Sequence, residues 1–330
     1  MATQTEHPEI VVDASRRPLS REDIEMRVGR VIKWVLIVFF VIITVFPFYW
    51  MLNISLRQEA DVVTNPTQPF PTREDINTNV EALGCYFRYG TDSLNDNPTL
   101  PAECVGVFDQ SGFTFVLDRG FPDFIRNSLL LAGVTVVLTL LLTIPAAYAI
   151  TRLQFFGRSA MSWGILLIYM FPAIVLAIPL FVVFTRLNLI SLQGLIFVYL
   201  SGTLPVALYM LRSYFVTVPK DLEEAALIDG CTQLSAMVRV TLPLAMPAIA
   251  SVALYTFMIA WNEFLYAFLF LSTQQGQATL PVGLYTLNDQ EVSINALMAG
   301  SLIISVPIIV IFFFFERFLT RGLTAGAVKG

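Results

Sequence analysis

The chain has 330 residues, 56% of them hydrophobic and only 14% charged, with a formal net charge of −5 at pH 7. Soluble domains carry roughly a quarter charged residues, so this composition excludes an ordinary water-soluble fold and points to an all-α polytopic membrane protein. There is no basic stripe to suit nucleic acid, and one histidine (His7, in a polar tail) with three scattered cysteines offers no zinc ligand set.

Residues 1–29 are polar, with Arg16, Arg17, Arg21 and Arg27 among acids. They hold no apolar signal core, which predicts a cytoplasmic tail, partly disordered and without a cleaved signal. Ser20 followed by Arg21-Glu22-Asp23 reads as the cap of a short helix. Six apolar stretches follow, each near the ~20 residues that cross a bilayer. They run about Val31 to Leu52, Phe124 to Ile150, Ser159 to Phe184, Leu192 to Val216, Ala248 to Leu271 and Ile294 to Phe315. Arg30 and Lys33 before the first stretch, Arg152 and Arg158 between the second and third, and Arg317 and Arg321 after the sixth place both termini inside by the positive-inside rule. The membrane domain is therefore taken as 30–318, with a tail at 319–330.

Between the first two stretches lies a long polar loop, residues 53–123, richer in Asp and Glu than in Arg. It is expected on the extracytoplasmic side and is long enough for a small folded cap. Cys85 and Cys104 both fall in it. In an oxidising compartment they could pair, closing a loop worth about 3 kcal/mol in the chain-entropy model; the alternative is two free thiols. Pro172 and Pro179 make the third stretch an irregular helix that must be satisfied by neighbours. In the fifth, Glu263 is the one carboxylate deep in a span. It is either a functional group or an acid satisfied inside the bundle.

Residues 219–247 form a polar segment between the fourth and fifth stretches. Pro219 suits a first helical position, and Asp221, Glu223 and Glu224 suit the positive end of a helix dipole. Gly230 suits a left-handed helix stop, Thr232 caps a second short helix, and Pro243 ends it. The residues Glu224-Ala225-Ala226, Gly230 and Val240-Thr241-Leu242-Pro243 resemble the EAA loop of ABC importer permeases, with Val240 in place of Ile. The resemblance implies the coupling helix of a type I ABC importer permease fold with six transmembrane helices. Glu224, Ala225, Ala226, Gly230, Leu242 and Pro243 would sit against a separate ATPase subunit.

Further stretches resemble the carbohydrate branch of this family, its MalG-type subunits in particular. Asn53-Ile54-Ser55-Leu56-Arg57 looks like that branch's exit from the first span. Trp261-Asn262-Glu263-Phe264 looks like its fifth span, and Thr279-Leu280-Pro281-Val282-Gly283-Leu284 like its outer loop. The resemblance makes Thr279, Leu280, Pro281 and Gly283 a contact loop for a binding protein. It makes Asn262, Glu263 and Tyr266 candidates for the substrate pathway. The C-terminal stretch holding Gly322, Leu323, Thr324, Gly326 and Lys329 is similar to a tail that docks between ATPase subunits. The resemblance covers about Lys33 to Gly330 and leaves the 53–123 loop without a counterpart.

The implied assembly has a second, MalF-like permease, two MalK-like ATPase subunits and an extracytoplasmic sugar-binding protein. It would import a maltose- or trehalose-like oligosaccharide or related glycoside, without a cofactor. None of Lys33, Lys220 and Lys329 stands in a phosphate-binding loop, so the chain is expected to have no ATPase site of its own. The rival class is a secondary transporter driven by an ion gradient, for which Glu263 would be the titratable group.

Overall fold

The computed structural model describes residues 21–89, 101, 104, 110–170, 172–272, 274, 276–287 and 293–326. His7, the Ser20 cap and Lys329 lie outside them. The described residues are helical, with no strand among them. The chain divides into two units, residues 1–50 and 51–330.

The first unit holds most of α1 (Arg21–Leu56). The sequence predicts a short helix and then a separate span from Val31, but one helix runs through both. Gly29 is the only poor helix former before Pro47, and a single glycine costs about 1 kcal/mol against alanine, too little to break a helix of this length.

The second unit begins with a small helical cap: α2 (Glu59–Thr64), α3 (Arg73–Tyr89) and α4 (Gly112–Asp118). The long helices α5 (Phe121–Arg152) and α8 (Leu192–Thr217) follow, separated by α6 (Arg158–Tyr169) and α7 (Ala173–Arg186). The third apolar stretch is thus two helices. Pro172 stands immediately before α7, where it lacks an N–H and disfavours a helical residue ahead of it.

The 219–247 segment gives α9 (Lys220–Ile228) and α10 (Gln233–Ala236). Pro243 does not end the second short helix as expected. The chain passes from α10 through a π-helical turn, Met237–Thr241, straight into α11 (Leu242–Asn262). The Leu242 N–H bonds to the Met237 carbonyl five residues back. This wider turn brings Pro243 into the first turn of α11, where a missing N–H is tolerated. The fifth stretch is also broken, at Glu263 and Phe264, before α12 (Leu265–Leu271). The loop after it contains α13 (Leu280–Thr286), and α14 (Ile294–Gly326) completes the unit. Backbone helix continues through Gly322 and Gly326, so the tail expected from residue 319 starts inside α14.

Among the described residues five helices are long and apolar enough to cross a membrane: Glu25–Leu56, Phe121–Arg152, Leu192–Thr217, Gln233–Asn262 and Ile294–Phe318. With the α6–α7 pair they make a multi-pass protein. Within the second unit, α5, α8 and α11 pack on one another, and α14 packs on α11. On α5 the small residues Thr135, Thr139, Thr143, Ala147 and Thr151 recur every four positions and are all buried. Such a stripe lets backbones approach closely. Each of these threonines but Thr139 donates back to the carbonyl four residues earlier, and Thr139 meets Thr203 of α8 at 3.0 Å. One apolar cluster, including Phe121, Tyr199, Trp261 and Phe270, fills the half of the bundle toward the cap. A second, including Tyr148, Leu211, Phe215 and Ala245, fills the half toward α9.

Candidate functional site

The nine residues of α9 present two different faces. Leu222, Glu224, Ala225, Leu227 and Ile228 are exposed, Ile228 by 86%. Leu222, Ala225 and Ile228 recur at intervals of three and form one apolar ridge, with exposed Leu234 of α10 following in sequence. Gly230 holds φ at +91°, as its place after the helix requires, and Thr232 caps α10 by accepting from the Ser235 N–H at 3.3 Å. Of the residues expected to couple, Glu224, Ala225, Gly230 and Pro243 are exposed, and Ala226 and Leu242 are half-buried.

The opposite face carries a residue that the sequence reading used only for the helix dipole. Glu223 is 5% exposed. Its Oε1 accepts from Arg152 Nε at 2.8 Å and from the Thr241 hydroxyl at 2.8 Å; its Oε2 accepts from the Tyr148 hydroxyl at 3.2 Å. Arg152 Nη2 also donates to the Val218 carbonyl at 2.8 Å, in the link between α8 and α9. One carboxylate therefore ties α9 to the last turns of α5 and to the π turn that leads into α11. The available sequence signal was the pair of adjacent acids, Glu223 and Glu224, where the EAA resemblance uses only one.

Where α11 ends, Glu263 accepts from the Tyr199 hydroxyl at 2.8 Å and from the backbone N–H groups of Tyr266 and Ala267 at 2.8 and 3.0 Å. It is the acceptor for the otherwise unpaired first turn of α12, created where α11 breaks. Tyr266 is half-buried against the apolar cluster. Asn262 is separated from both: it is exposed and shares a groove with Phe264, Pro281, Leu284, Tyr285, Leu297 and Ile304. The rings of Phe264, Phe268 and Tyr285 lie 5.2 to 5.4 Å apart there.

The loop that the resemblance makes a binding-protein contact packs against α5. Thr279, Leu280 and Gly283 are buried, Leu280 completely, and Pro281 is half-buried. The Leu280 N–H donates to Ser128 Oγ at 2.8 Å, and Asn127 donates to the Gly276 and Ala278 carbonyls at 3.0 and 3.1 Å. A Cβ on Gly283 would stand 2.2 Å from the Phe124 ring. These residues fasten the loop to α5; among its described residues Gly276, Gln277, Tyr285 and Thr286 are exposed.

At the cap, Arg57 is fully buried. It pairs with Asp61 at 2.6 Å and donates to the Asp61 and Asn65 carbonyls, both at 2.8 Å. The Asn65 amide and the Arg57 guanidinium hold the Asp61 carboxyl below its ordinary value. Asn79 donates to the Leu56 carbonyl at 2.7 Å and accepts from Ser111, while Asn295 of α14 donates to the Arg57 carbonyl at 3.0 Å. Cys85 and Cys104 are joined as a disulfide. Among the described residues no cluster of His, Cys, Asp and Glu could hold a metal ion.

The family described as "Binding-protein-dependent transport system inner membrane component" matches residues 139–325. The inner membrane ABC transporter permease protein YcjP of Escherichia coli K12 is 36% identical over 88% of this chain and 93% of its own length. The trehalose/maltose transport system permease protein MalG of Thermococcus litoralis is 33% identical over 94% of this chain and 99% of its own. In fold, the chain is similar to a bacterial ABC transporter involved in import of the acidic polysaccharide alginate. The TM-score is 0.66 at 22% identity, covering 92% of this chain and 99% of that one.

Proposed function

Since the chain belongs to the family of binding-protein-dependent transport system inner membrane components, we propose that it is a permease subunit of an ATP-driven sugar importer. It lines half of the translocation pathway. A MalF-like second permease, two MalK-like ATPase subunits and an extracytoplasmic sugar-binding protein complete the assembly. The observation that carries this is the two-faced helix α9: an exposed apolar ridge with Glu224 and Ala225 on one side, and a buried anchor into the bundle on the other. A cleft on an ATPase subunit takes the exposed side. Closure of the ATPase pair on ATP moves α9, and the helices pinned to it switch the pathway between inward and outward access. Both termini then face the cytoplasm, with the C-terminal end of α14 directed to the ATPase side, and the cap lies outside.

The sugar follows from the relatives. The Thermococcus protein is named for trehalose and maltose, and a Streptomyces coelicolor relative, 31% identical over 87% of this chain, for diacetylchitobiose. Glycosides are the common class, since an Agrobacterium fabrum relative, 31% identical over 86% of this chain, is named for sulfoquinovosyl glycerol. Asn262, with Phe264 and Tyr285 beside it, is the pathway candidate that the geometry favours: an amide for hydroxyl groups and ring faces for the sugar. Glu263, which an ion-coupled carrier would need to titrate, is taken up by three donors.

The test is co-purification of the ATPase subunit with wild-type chain and with Glu224→Arg and Gly230→Pro. Proline cannot adopt φ near +91°, so the second variant reshapes the end of α9 without adding charge. Wild type should bring the ATPase subunit down and both variants should lose it. A wild-type chain that binds no ATPase subunit and moves sugar on an ion gradient alone would sink this reading.

A further inference from the structure

We infer that Glu223 is the positioning residue that makes the transmembrane helices follow α9, through its buried bonds to Arg152, Tyr148 and Thr241. The inference deepens the importer reading and rests on it.

A helix of nine residues joined to the bundle only by short links can roll or slide when a partner pushes it. What α9 does next depends on its side-chain ties. Glu223 supplies three of them from one carboxylate, and they reach two different helices. Arg152 and Tyr148 stand one turn apart on α5, so the pull on α5 is applied at two points. Thr241 closes the π turn ahead of α11. A π turn is a place where helical register can shift by a residue, so a tie at its last residue decides whether α11 moves with α9 or the turn absorbs the motion. Arg152 adds a bond to the Val218 carbonyl, which locks the link from α8 into the same node.

The chemistry fits a mechanical tie. Both side chains of the ion pair are 7% exposed, so water does not compete for the bonds and salt screens them little. Charge-assisted hydrogen bonds are short and about twice as strong as neutral ones. Removing the carboxylate leaves a buried guanidinium unpaired, a state the bundle avoids by loosening the node. Glu223 also points away from the exposed ridge of α9, so a substitution there leaves the partner-facing surface as it was.

The experiment needs no knowledge of the sugar. The complex with its ATPase subunits is reconstituted in nanodiscs, in a Cys231→Ser background. A spin label is placed either at Lys220, on α9, or at Leu141, an exposed position on α5. The change in label mobility on adding ATP is then measured. In wild type both labels should respond. In Glu223→Ala the α9 response should persist while the α5 response falls at least about fivefold, the low end of an ordinary coupling free energy. Glu223→Gln keeps the acceptor oxygen and should restore most of the α5 response. Tyr148→Phe and Thr241→Val each remove one tie and should lower it about twofold, which decides the matter if Glu223→Ala fails to assemble. Equal responses at both labels in every variant would overturn the inference. So would a parallel loss at both labels in every variant, which marks a merely structural role. A wild-type complex in which neither label responds to ATP instead counts against the importer reading itself.

Discussion

At the cap end of the second unit, Arg57, Asp75, Asn79, Ser111 and Asn295 share the bonding. Asp75 caps α3 by accepting from the Thr72 N–H and hydroxyl at 2.8 and 2.7 Å, and it also accepts from the Gln58 N–H at 3.2 Å. Most partners there are backbone carbonyls and N–H groups, with a disulfide in addition. At the α9 end one carboxylate carries the contact, it bonds to side chains on two helices, and a π turn adjoins it. Distributed bonds to backbone make a brace, because no single loss frees a helix. A concentrated bond between side chains makes a linkage, because it passes force from one element to another. Substitutions at the cap should therefore change stability and leave the ATP response of α5 intact, whereas Glu223 variants should change that response itself.

The largest effect is expected from Arg57→Ala. It removes an ion pair and two bonds to carbonyls from a fully buried position. Asp61 is partly exposed and can regain water, so the loss falls short of that for a wholly buried pair. About 3 kcal/mol remains reasonable for charge-assisted bonds together with the cavity. The thermal unfolding midpoint of the purified chain should drop, while the Leu141 label still responds to ATP in assembled complexes. Loss of that response at unchanged stability would make the cap a linkage too.

Cys85→Ser comes next. The bridge closes 19 residues of separation, for which the chain-entropy model gives about 3 kcal/mol. That energy restrains the cap more than the bundle, so limited proteolysis should cut the cap sooner while ATPase association is unchanged. Gly112→Ala is smaller. Its Cβ would stand 2.6 Å from the Asn295 carbonyl oxygen, backbone against backbone, so α4 must move off α14. Overpacking of this kind costs about 1–3 kcal/mol, read again as a lower midpoint with an intact ATP response.

The same contrast explains what was legible beforehand. Spans were visible because length and apolarity are local properties: Leu192–Thr217 differs from its expected limits by one residue. Gly230 was legible because a left-handed turn admits few residues. Breaks in helices were harder. Pro172 did interrupt the third stretch, whereas Pro243 sits inside α11, because the π turn ahead of it could not be read from composition. Roles that depend on a distant partner were hidden. Glu223 and Glu224 are neighbours with the same chemistry, and only the fold turns one to Arg152, 71 residues away, and leaves the other exposed. Likewise the packing of Leu280 and Gly283 against Ser128 and Phe124 could not be read from the sequence.

The smallest expected effect is a pH dependence confined to the cap. The Asn65 amide and then Arg57 lower the Asp61 pKa in the folded state. A carboxylate depressed by folding contributes stability that is present above its unfolded value and is lost as pH falls through the folded one. The unfolded value for aspartate is about 3.9, so the loss begins below about pH 4 and not in the neutral range. Asp61→Asn keeps a side-chain amide beside Arg57 but removes the proton-binding group, so its midpoint should lie lower at pH 6 and fall less steeply between pH 4 and 3. An equal slope in the two proteins would move the acid sensitivity to another carboxylate of the cap. At neutral pH Asp61 keeps its charge, which is what a fixed brace requires.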